Sequence, residues 1–492
     1  MSNIKKILIA FLCFTLLVGL FCGCGEKYKE SIIYFELLTQ PKTLDPQIAS
    51  TDSELIIARN IYEGLLRENN NGEIVCGVSE SYTYENLTYT FTLRDDAVWS
   101  NGEKVTAYDF EFALRRAIDP KINAPFASRL FAIQNAEAIA NGSADVSALG
   151  VKAVDDATLT ISMSREDNDF LKTLTTSICM PCNEEFYDDS IGKYGLDAEC
   201  ILSNGSYRLT KWNKEEFGIR IYNNEEYKGV APAQNAAVFI SCIDDETQIE
   251  RLGGGSDMAF INGSELAKAK DAGHITKSVQ NICWLMAISR NYNADVRRAF
   301  VSAFDSSIYQ SELPNGFDVA KSIYPDVLGI DADGIGMLPY NLDEAKSVMS
   351  AQIAKMEDKK FPQATLYYYD VEGVKDFATA IVGHWQQNLS AFVNIESSQN
   401  LDALQSELAD STLDFALFPI SAKSDYFNEY VKIFASRSAK ETPDLLQSEV
   451  LSDYSLLPIA YQNTNVAYIS LLECVSVGKD NGYVDFSYII KR

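Results

Sequence analysis

The cysteines Cys179 and Cys182 have a spacing that could support redox or metal chemistry. Two intervening residues, Met180 and Pro181, give the pattern of thiol oxidoreductases and of some zinc sites. No strand-then-helix pattern typical of a thioredoxin surrounds the pair, and no second pair with zinc-ligand spacing follows it in the sequence. The sequence therefore favours a packing role for these thiols, and a secreted thiol oxidoreductase stays open as an alternative.

Other residues suited to catalysis are few. The chain of 492 residues has 2 histidines, His274 and His384, and it contains neither an HExxH nor a GxSxG motif. The Gly253–Gly255 run lacks the Lys-Ser/Thr pair of a phosphate-binding loop and precedes a predicted strand, where such a loop would precede a helix. We therefore expect a binding protein with no enzymatic activity, no cofactor and no resident metal.

The clearest element pattern is a strand, a turn and a helix in succession. Apolar residues alternate with polar ones from Leu87 to Arg94, which predicts a strand with one buried face. Asn101-Gly102 predicts a turn. Thr106, with Asp109 three residues later, predicts a capped helix that Asp119-Pro120 ends.

The residues of this region resemble the signature of extracytoplasmic solute-binding proteins of the peptide and nickel type, which serve ABC importers. The resemblance lies in Trp99–Gly102, Val105–Ala107 and Asp109-Phe110, and these residues build the scaffold. Further matches, in the family's order, are Thr43–Pro46, Tyr62–Leu65, Ser203–Leu209, Val296–Phe300 and Leu456–Tyr461, the last of which is a strand in the family. The resemblance implies an α/β, periplasmic-binding-protein-like fold, with two lobes around a ligand cleft and an extra inserted domain.

The same resemblance implies a discontinuous domain organisation. We expect a lipoprotein signal peptide at 1–23, a first lobe built from 24–56, 186–282 and 456–492, an inserted second domain at 57–185, and a second lobe at 283–455. Helices alternate with short strands from Leu342 to Phe418, beginning with a helix at Leu342–Ile353 and a strand at Thr365–Tyr369, which predicts a largely parallel sheet in the second lobe. Ile133–Gly142 predicts a further helix in the inserted domain.

The amino terminus has the pattern of a secretory signal. Lys5-Lys6 precede an apolar run, Ile7–Leu20, that is too short to span a bilayer comfortably. Leu20–Cys24 resembles a bacterial lipobox, with Phe21 where leucine is usual, and this implies lipidation of Cys24 and anchoring to the outer face of the cell membrane. The net charge of -27 argues against nucleic acid as a partner.

The resemblance also implies a counter-charge for a peptide ligand. In peptide-binding members, a carboxylate that follows a strand of the last lobe faces the ligand's ammonium group, an arrangement that charge-assisted hydrogen bonding favours. Asp425-Tyr426 matches this position, although the tryptophan that usually precedes it is absent. Tyr367–Tyr369 and Trp385 could supply aromatic walls, but alternate burial in a strand would account for two of the tyrosines.

Contacts from the first lobe are implied at two places. Main-chain groups at positions corresponding to Thr39, Gln40 and Pro41 approach the ligand in the family, and Phe260 and Asn262 lie where the first lobe lines the cleft. We therefore expect a monomer that captures oligopeptides by lobe closure and delivers them to ABC permease subunits. A small oligosaccharide, a nickel chelate or a signalling peptide is the alternative ligand, and the scarcity of histidine disfavours nickel.

Overall fold

The computed structural model describes residues 32–167, 170–214, 218–234, 236–241, 248–305, 310–328, 330–331, 333–335, 337–371, 373–398, 401, 404, 407, 412–421, 443–478 and 484–492. Its strands are β1 (Ile32–Leu37), β2 (Leu66–Glu68), β3 (Ile74–Cys76), β4 (Ser79–Glu85), β5 (Thr88–Leu93), β6 (Val151–Asp155), β7 (Thr158–Ser162), β8 (Tyr207–Asn213), β9 (Gly218–Asn223), β10 (Ala236–Ser241), β11 (Met258–Ile261), β12 (Ile275–Ile288), β13 (Phe317–Val319), β14 (Ala364–Tyr369), β15 (Val393–Ser398), β16 (Phe415–Ser421), β17 (Leu456–Tyr468), β18 (Leu472–Glu473) and β19 (Ile490–Lys491). Its α-helices are α1 (Asp52–Ile61), α2 (Ala107–Ile118), α3 (Ala136–Ala140), α4 (Phe170–Thr173), α5 (Glu184–Asp189), α6 (Gln248–Arg251), α7 (Leu266–Asp271), α8 (Ala294–Ser302), α9 (Leu342–Ile353), α10 (Val374–Leu389) and α11 (Pro443–Ser452).

One large mixed sheet runs through most of the chain. Among the described residues it has 11 strands, in the order β15-β14-β16-β12-β17-β11-β1-β10-β9-β8, with β13 paired to β17. Strands β10, β1 and β11 are parallel to one another at one end, and β15, β14 and β16 are parallel at the other. The long antiparallel pair β12 and β17 joins the two ends, which is the part of the fold that matters most for the site.

Within the segment predicted as an inserted domain, the strand and the capped helix fold as their sequence pattern indicates. Strand β5 lies in a 4-stranded antiparallel sheet, β4-β5-β7-β6, and buries alternate residues. Helix α2 begins after Thr106, whose backbone N–H donates to Asp109 Oδ2 at 2.7 Å, and ends where Asp119 N–H donates to the Arg115 and Arg116 carbonyls. The predicted strand, cap and helix end are therefore confirmed.

Helix α3 is shorter than the Ile133–Gly142 prediction. It begins only at Ala136, because Asn135 has a φ of 66° and lies in the left-handed region that does not continue a right-handed helix. Gly142, at φ 71°, follows its end. The predicted length was wrong because apolar spacing does not reveal a left-handed residue.

The hydrophobic core divides the molecule differently from the linear sequence. One cluster of buried residues joins Phe35 of β1 with Phe91 of β5, so the inserted segment shares its core with the first lobe. Separate clusters around Trp385 and Phe418 belong to the second lobe. Three predicted boundaries, 56/57, 185/186 and 282/283, fall inside α1, α5 and β12. The remaining division into domains stays a prediction.

Candidate functional site

Two long strands connect the halves of the large sheet. The first half of β12, from Ile275 to Gln280, pairs with the end of β17, which also pairs with β11. The second half of β12 pairs with the start of β17 and with β16. The register between β12 and β17 shifts at Gln280/Ile282 and again at Trp284/Leu285. Such irregularities bend a strand, so they mark the place where the two halves change direction.

Side-chain amides hold the two strands together at this irregular stretch around Gln280–Leu285. We call it the crossing, because both strands pass here from one half of the sheet to the other. Asn281 is fully buried, and its Oδ1 accepts from Thr464 N–H at 3.3 Å and from Thr464 Oγ1 at 3.0 Å. Trp284 Nε1 donates to Gln462 Oε1 at 2.8 Å. These contacts tie the irregular part of β12 to β17, Asn281 at the first register shift and Trp284 next to the second.

The carboxyl ends of the parallel strands point toward the crossing from both sides. Ile261, the last residue of β11, is level with Asn465 of β17, and Ser421, the last residue of β16, is level with Ile282 of β12. Ligands of open α/β sheets bind outside the carboxyl ends of the strands. The space between these two edges is therefore the candidate ligand cleft.

Thr39, Gln40 and Pro41 follow β1 at this edge. Thr39 is exposed, and its N–H donates to Ser53 Oγ at 3.4 Å. Gln40 is half-buried, with Nε2 donating to the Lys214 carbonyl at 3.4 Å, whereas Pro41 is buried. The structure therefore brings this predicted segment to the cleft edge and fixes it to neighbouring elements.

Glu54, at the start of α1, positions this segment, and the sequence analysis missed it. Its Oε1 accepts from Lys42 N–H at 2.9 Å and from Thr43 N–H at 3.3 Å, and its Oε2 accepts from Thr51 N–H at 3.0 Å. The Thr51-x-x-Glu54 capping box was the available signal in the sequence.

Phe260 and Asn262 lie at the end of the neighbouring strand β11. The Phe260 ring is 2% exposed and packs edge-on against Phe35 at 5.0 Å between ring centroids, so its side chain belongs to the core. A contact between Phe260 and ligand would have to involve its main chain. Asn262 is exposed directly after the strand. The ligand roles of both residues stay predictions.

The remaining predicted residues are outside the site as described. Asp425, Tyr426 and Cys24 lie outside the described residues, which stop at Ser421 of β16 before resuming at Pro443. Trp385, considered as a possible aromatic wall, is 2% exposed and packs against Phe300 and Phe415 in the core of the second lobe.

A buried ion pair lies under the cleft edge. Arg116 of α2 donates to both carboxylate oxygens of Asp45, and its Nη1 also donates to Gln47 Oε1 at 2.6 Å. Although burial alone would lower it, the facing Asp45 carboxylate holds the pKa of Arg116 above its ordinary value. Arg116 is therefore a permanent cation, and it ties the inserted segment to the segment that follows β1, which contains Asp45 and Gln47.

Metal-ligand groups and membrane-spanning helices are both absent from the described residues. No three of their His, Cys, Asp or Glu side chains are grouped so that they could hold a metal ion. No helix within the described ranges is long and apolar enough to cross a membrane.

Comparison with known proteins gives consistent results. The profile of the bacterial extracellular solute-binding proteins, family 5, matches residues 73–441, about three-quarters of the chain. The oligopeptide-binding protein OppA of Bacillus subtilis (strain 168) is 26% identical over 424 residues, covering 80% of this chain and 77% of that protein. The periplasmic oligopeptide-binding protein OppA of Haemophilus influenzae is 31% identical over 379 residues, covering 73% and 69%.

A solved structure supports the fold independently. The Escherichia coli murein tripeptide-binding protein MppA matches with a TM-score of 0.77 at 22% identity, covering 94% of this chain and 99% of that one. This likeness confirms the predicted α/β architecture of two lobes around a cleft. The chain belongs to the bacterial extracellular solute-binding proteins of family 5.

Proposed function

We propose that this protein is the extracytoplasmic substrate-binding component of an ABC importer, capturing oligopeptides between its lobes and delivering them to permease subunits. Membership of the family and the two oligopeptide-binding relatives support this function. The structural observation that carries it is the pair of strand-end edges that face each other across β12 and β17.

An extended peptide suits this cleft because main-chain hydrogen-bonding groups lie at the cleft edge. Thr39–Pro41 follows β1 outside the sheet, and an extended ligand can hydrogen-bond to such a segment as an added strand would. Closure of the lobes about the two crossing strands would then bury the ligand. Thr39, Gln40, Pro41 and the main chain of Phe260–Asn262 are the proposed contacts of the first lobe.

Asp425 is the proposed counter-charge for the ligand's ammonium group, with Tyr426 beside it. Its support is the family resemblance and the position of β16, whose last residue, Ser421, lies level with the crossing and precedes Asp425 by four positions. We further propose that Cys24 carries a lipid that anchors a monomeric protein to the outer face of the cell membrane.

The ammonium contact can be tested by calorimetry on residues 24–492 with Cys24→Ser, which leaves ligand contacts untouched. The probes are penta-alanine and its N-acetylated form, which differ in the terminal charge. We expect acetylation to weaken binding to the parent protein by at least about 30-fold, because it leaves a desolvated carboxylate without its partner. Asp425→Asn should weaken penta-alanine binding similarly and remove the effect of acetylation.

Asp358→Asn is the matched control, because Asp358 is an exposed acid between α9 and β14. It precedes the amino end of β14, whereas the cleft lies at the carboxyl ends of the strands. This variant should leave both affinities unchanged. An acetylation effect of the same size in Asp425→Asn would contradict the proposed role of Asp425, and failure of any peptide to bind would contradict the function itself.

A further inference from the structure

An open groove of about 690 Å³ borders the predicted ligand segment. Its walls come from two stretches, Lys193–Asp197 and Lys211–Lys214. The predicted ligand segment, Thr39–Pro41, and the residues directly after it connect the two walls. Gln40 Nε2 donates to the Lys214 carbonyl at 3.4 Å, and Leu44 N–H donates to the Gly195 carbonyl at 2.8 Å. A ligand that lies along Thr39–Pro41 would therefore have this groove beside it.

The sheet register puts the groove on the cleft side of the molecule. Asn213, at the end of β8, is level with Gly218 of β9, which is level with Ile240 of β10 and so with Glu36 of β1. Lys214 thus lies at the carboxyl end of β1, the same edge from which the first lobe faces the crossing strands. The groove extends the cleft sideways along this edge.

Among the described residues that line it, the groove has more positive than negative side chains, although the protein carries a net charge of -27. Lys193, Lys211 and Lys214 line it, and all three are exposed. Its acid, Asp197, uses Oδ1 to accept the N–H groups of Glu199 and Cys200, both at 3.1 Å. A carboxylate ligand would meet the ammonium groups of Lys193 and Lys214 here.

Trp212 gives the groove an apolar surface next to its charge. Its ring is partly exposed, and Lys214 Nζ lies over it at 4.8 Å from the ring centroid, so the ammonium group packs on the face of the indole. Each of the other tryptophans, Trp99, Trp284 and Trp385, is at most 2% exposed. Trp212 is consequently the natural fluorescent reporter for anything that enters the groove.

We propose that this groove binds a carboxylate of the captured peptide, so that the protein prefers peptides with an acidic group at one position over their neutral amide counterparts. The inference rests on the proposed function and adds a substrate class to it. Lys193 and Lys214 hold the carboxylate, and Trp212 covers the adjoining apolar part of the ligand. The carboxylate can come from a Glu side chain or from the peptide's own carboxyl terminus.

The test measures affinities of paired peptides for residues 24–492 with Cys24→Ser. One series replaces each residue of penta-alanine amide in turn by Glu or by Gln, and a further pair compares penta-alanine with its carboxyl-terminal amide. We expect about 2–5-fold tighter binding of the charged member at one position, which is the size expected for a contact between exposed charges. The pair that shows the preference distinguishes a side chain from the terminus.

Lys193→Gln/Lys214→Gln should reduce that preference to about 1-fold while neutral peptides still bind. The matched control is Lys355→Gln/Lys360→Gln, which removes the same charge from exposed positions at the opposite edge of the sheet. It should leave the preference intact. The favoured peptide should also protect tryptophan fluorescence from acrylamide quenching, and Trp212→Phe should abolish that protection.

Glu215 and Glu216 follow Lys214 in the sequence and lie outside the described residues. Equal binding of the charged and neutral peptides would mean that the groove offers the ligand no net positive charge, and it would overturn the proposal. A preference that survives in Lys193→Gln/Lys214→Gln also overturns it. Binding of no peptide at all would refute the proposed function and this inference with it, whereas equal binding of both series refutes this inference alone.

Discussion

The thiols of Cys179 and Cys182 are 1% and 0% exposed, and burial raises the pKa of Cys182 to about 12. A thiol needs exposure and thiolate character to react, so this environment opposes redox chemistry. We expect iodoacetamide at pH 8 to leave both residues unmodified in the native protein, as read by peptide mass mapping.

The exposed Cys76 and Cys474 provide internal controls for this experiment and should be alkylated in the same sample. Modification of Cys179 or Cys182 at a rate similar to theirs would contradict the packing role and revive the thiol oxidoreductase alternative.

Asp109 gives a pH dependence to stability. Burial raises the pKa of this carboxyl group to about 6 in the folded protein, despite the hydrogen bonds from Thr106 and Asn183, compared with about 3.9 in an unfolded chain. Between these pKa values the folded state binds more protons than the unfolded state, so this group's contribution to stability falls as pH rises.

The corresponding prediction compares the protein with Asp109→Asn, because other carboxyl groups titrate equally in both. From pH 4 to pH 7, the free energy of unfolding of the parent should fall by about 1–3 kcal/mol relative to the variant. Urea unfolding at successive pH values measures this difference. A difference that does not change with pH would contradict a raised pKa.

At the scale of elements, the Asp45–Arg116 pair joins α2 to the segment that follows β1. Arg116→Met leaves the Asp45 carboxylate buried without its counter-charge, so we expect a loss of about 3–5 kcal/mol in the free energy of unfolding. Asp45→Asn/Arg116→Met should recover part of that loss because no unpaired buried charge remains.

Arg115→Met is the control on the same helix. Arg115 pairs with Glu111 at 2.6 Å and is 35% exposed, so its loss should cost at most about 1 kcal/mol. Equal costs for the two arginine variants in chemical unfolding would mean that the buried pair does not connect these elements as described.

Elements with a strong local pattern were predictable from the sequence. The helix predicted at Leu342–Ile353 and the strand predicted at Thr365–Tyr369 agree with α9 and β14 to within a residue. The strand predicted at Leu456–Tyr461 is longer in the structure. It continues to Tyr468 through the polar run Gln462–Asn465, whose residues pair across to β12 at the crossing.

The site was predictable only in part, because local sequence patterns do not show contacts between residues that are far apart in the chain. Family motifs located Thr39–Pro41, but its exact placement depends on Glu54 and Lys214, which are distant in sequence or act through the main chain. The burial of Phe260 follows from strands on both sides of β11, which single-sequence periodicity does not specify.

At the scale of the whole molecule, the shared core implies that the inserted segment and the first lobe move as one rigid unit. The cluster that contains Phe35 and Phe91 is continuous, whereas the second lobe has its own clusters. Closure should therefore move the second lobe against a unit formed by the first lobe and the inserted segment. The chain should bend at the irregular part of β12.

Capture of oligopeptides by this molecule can be tested by native mass spectrometry of the protein without its predicted signal peptide. Residues 24–492 with Cys24→Ser are purified rapidly from cells and measured at once. We predict adducts of a few hundred daltons that fragment as peptides and that are lost in Asp425→Ala but not in Asp358→Ala. A ligand-free mass that stays unchanged after incubation with a peptide digest would contradict peptide capture.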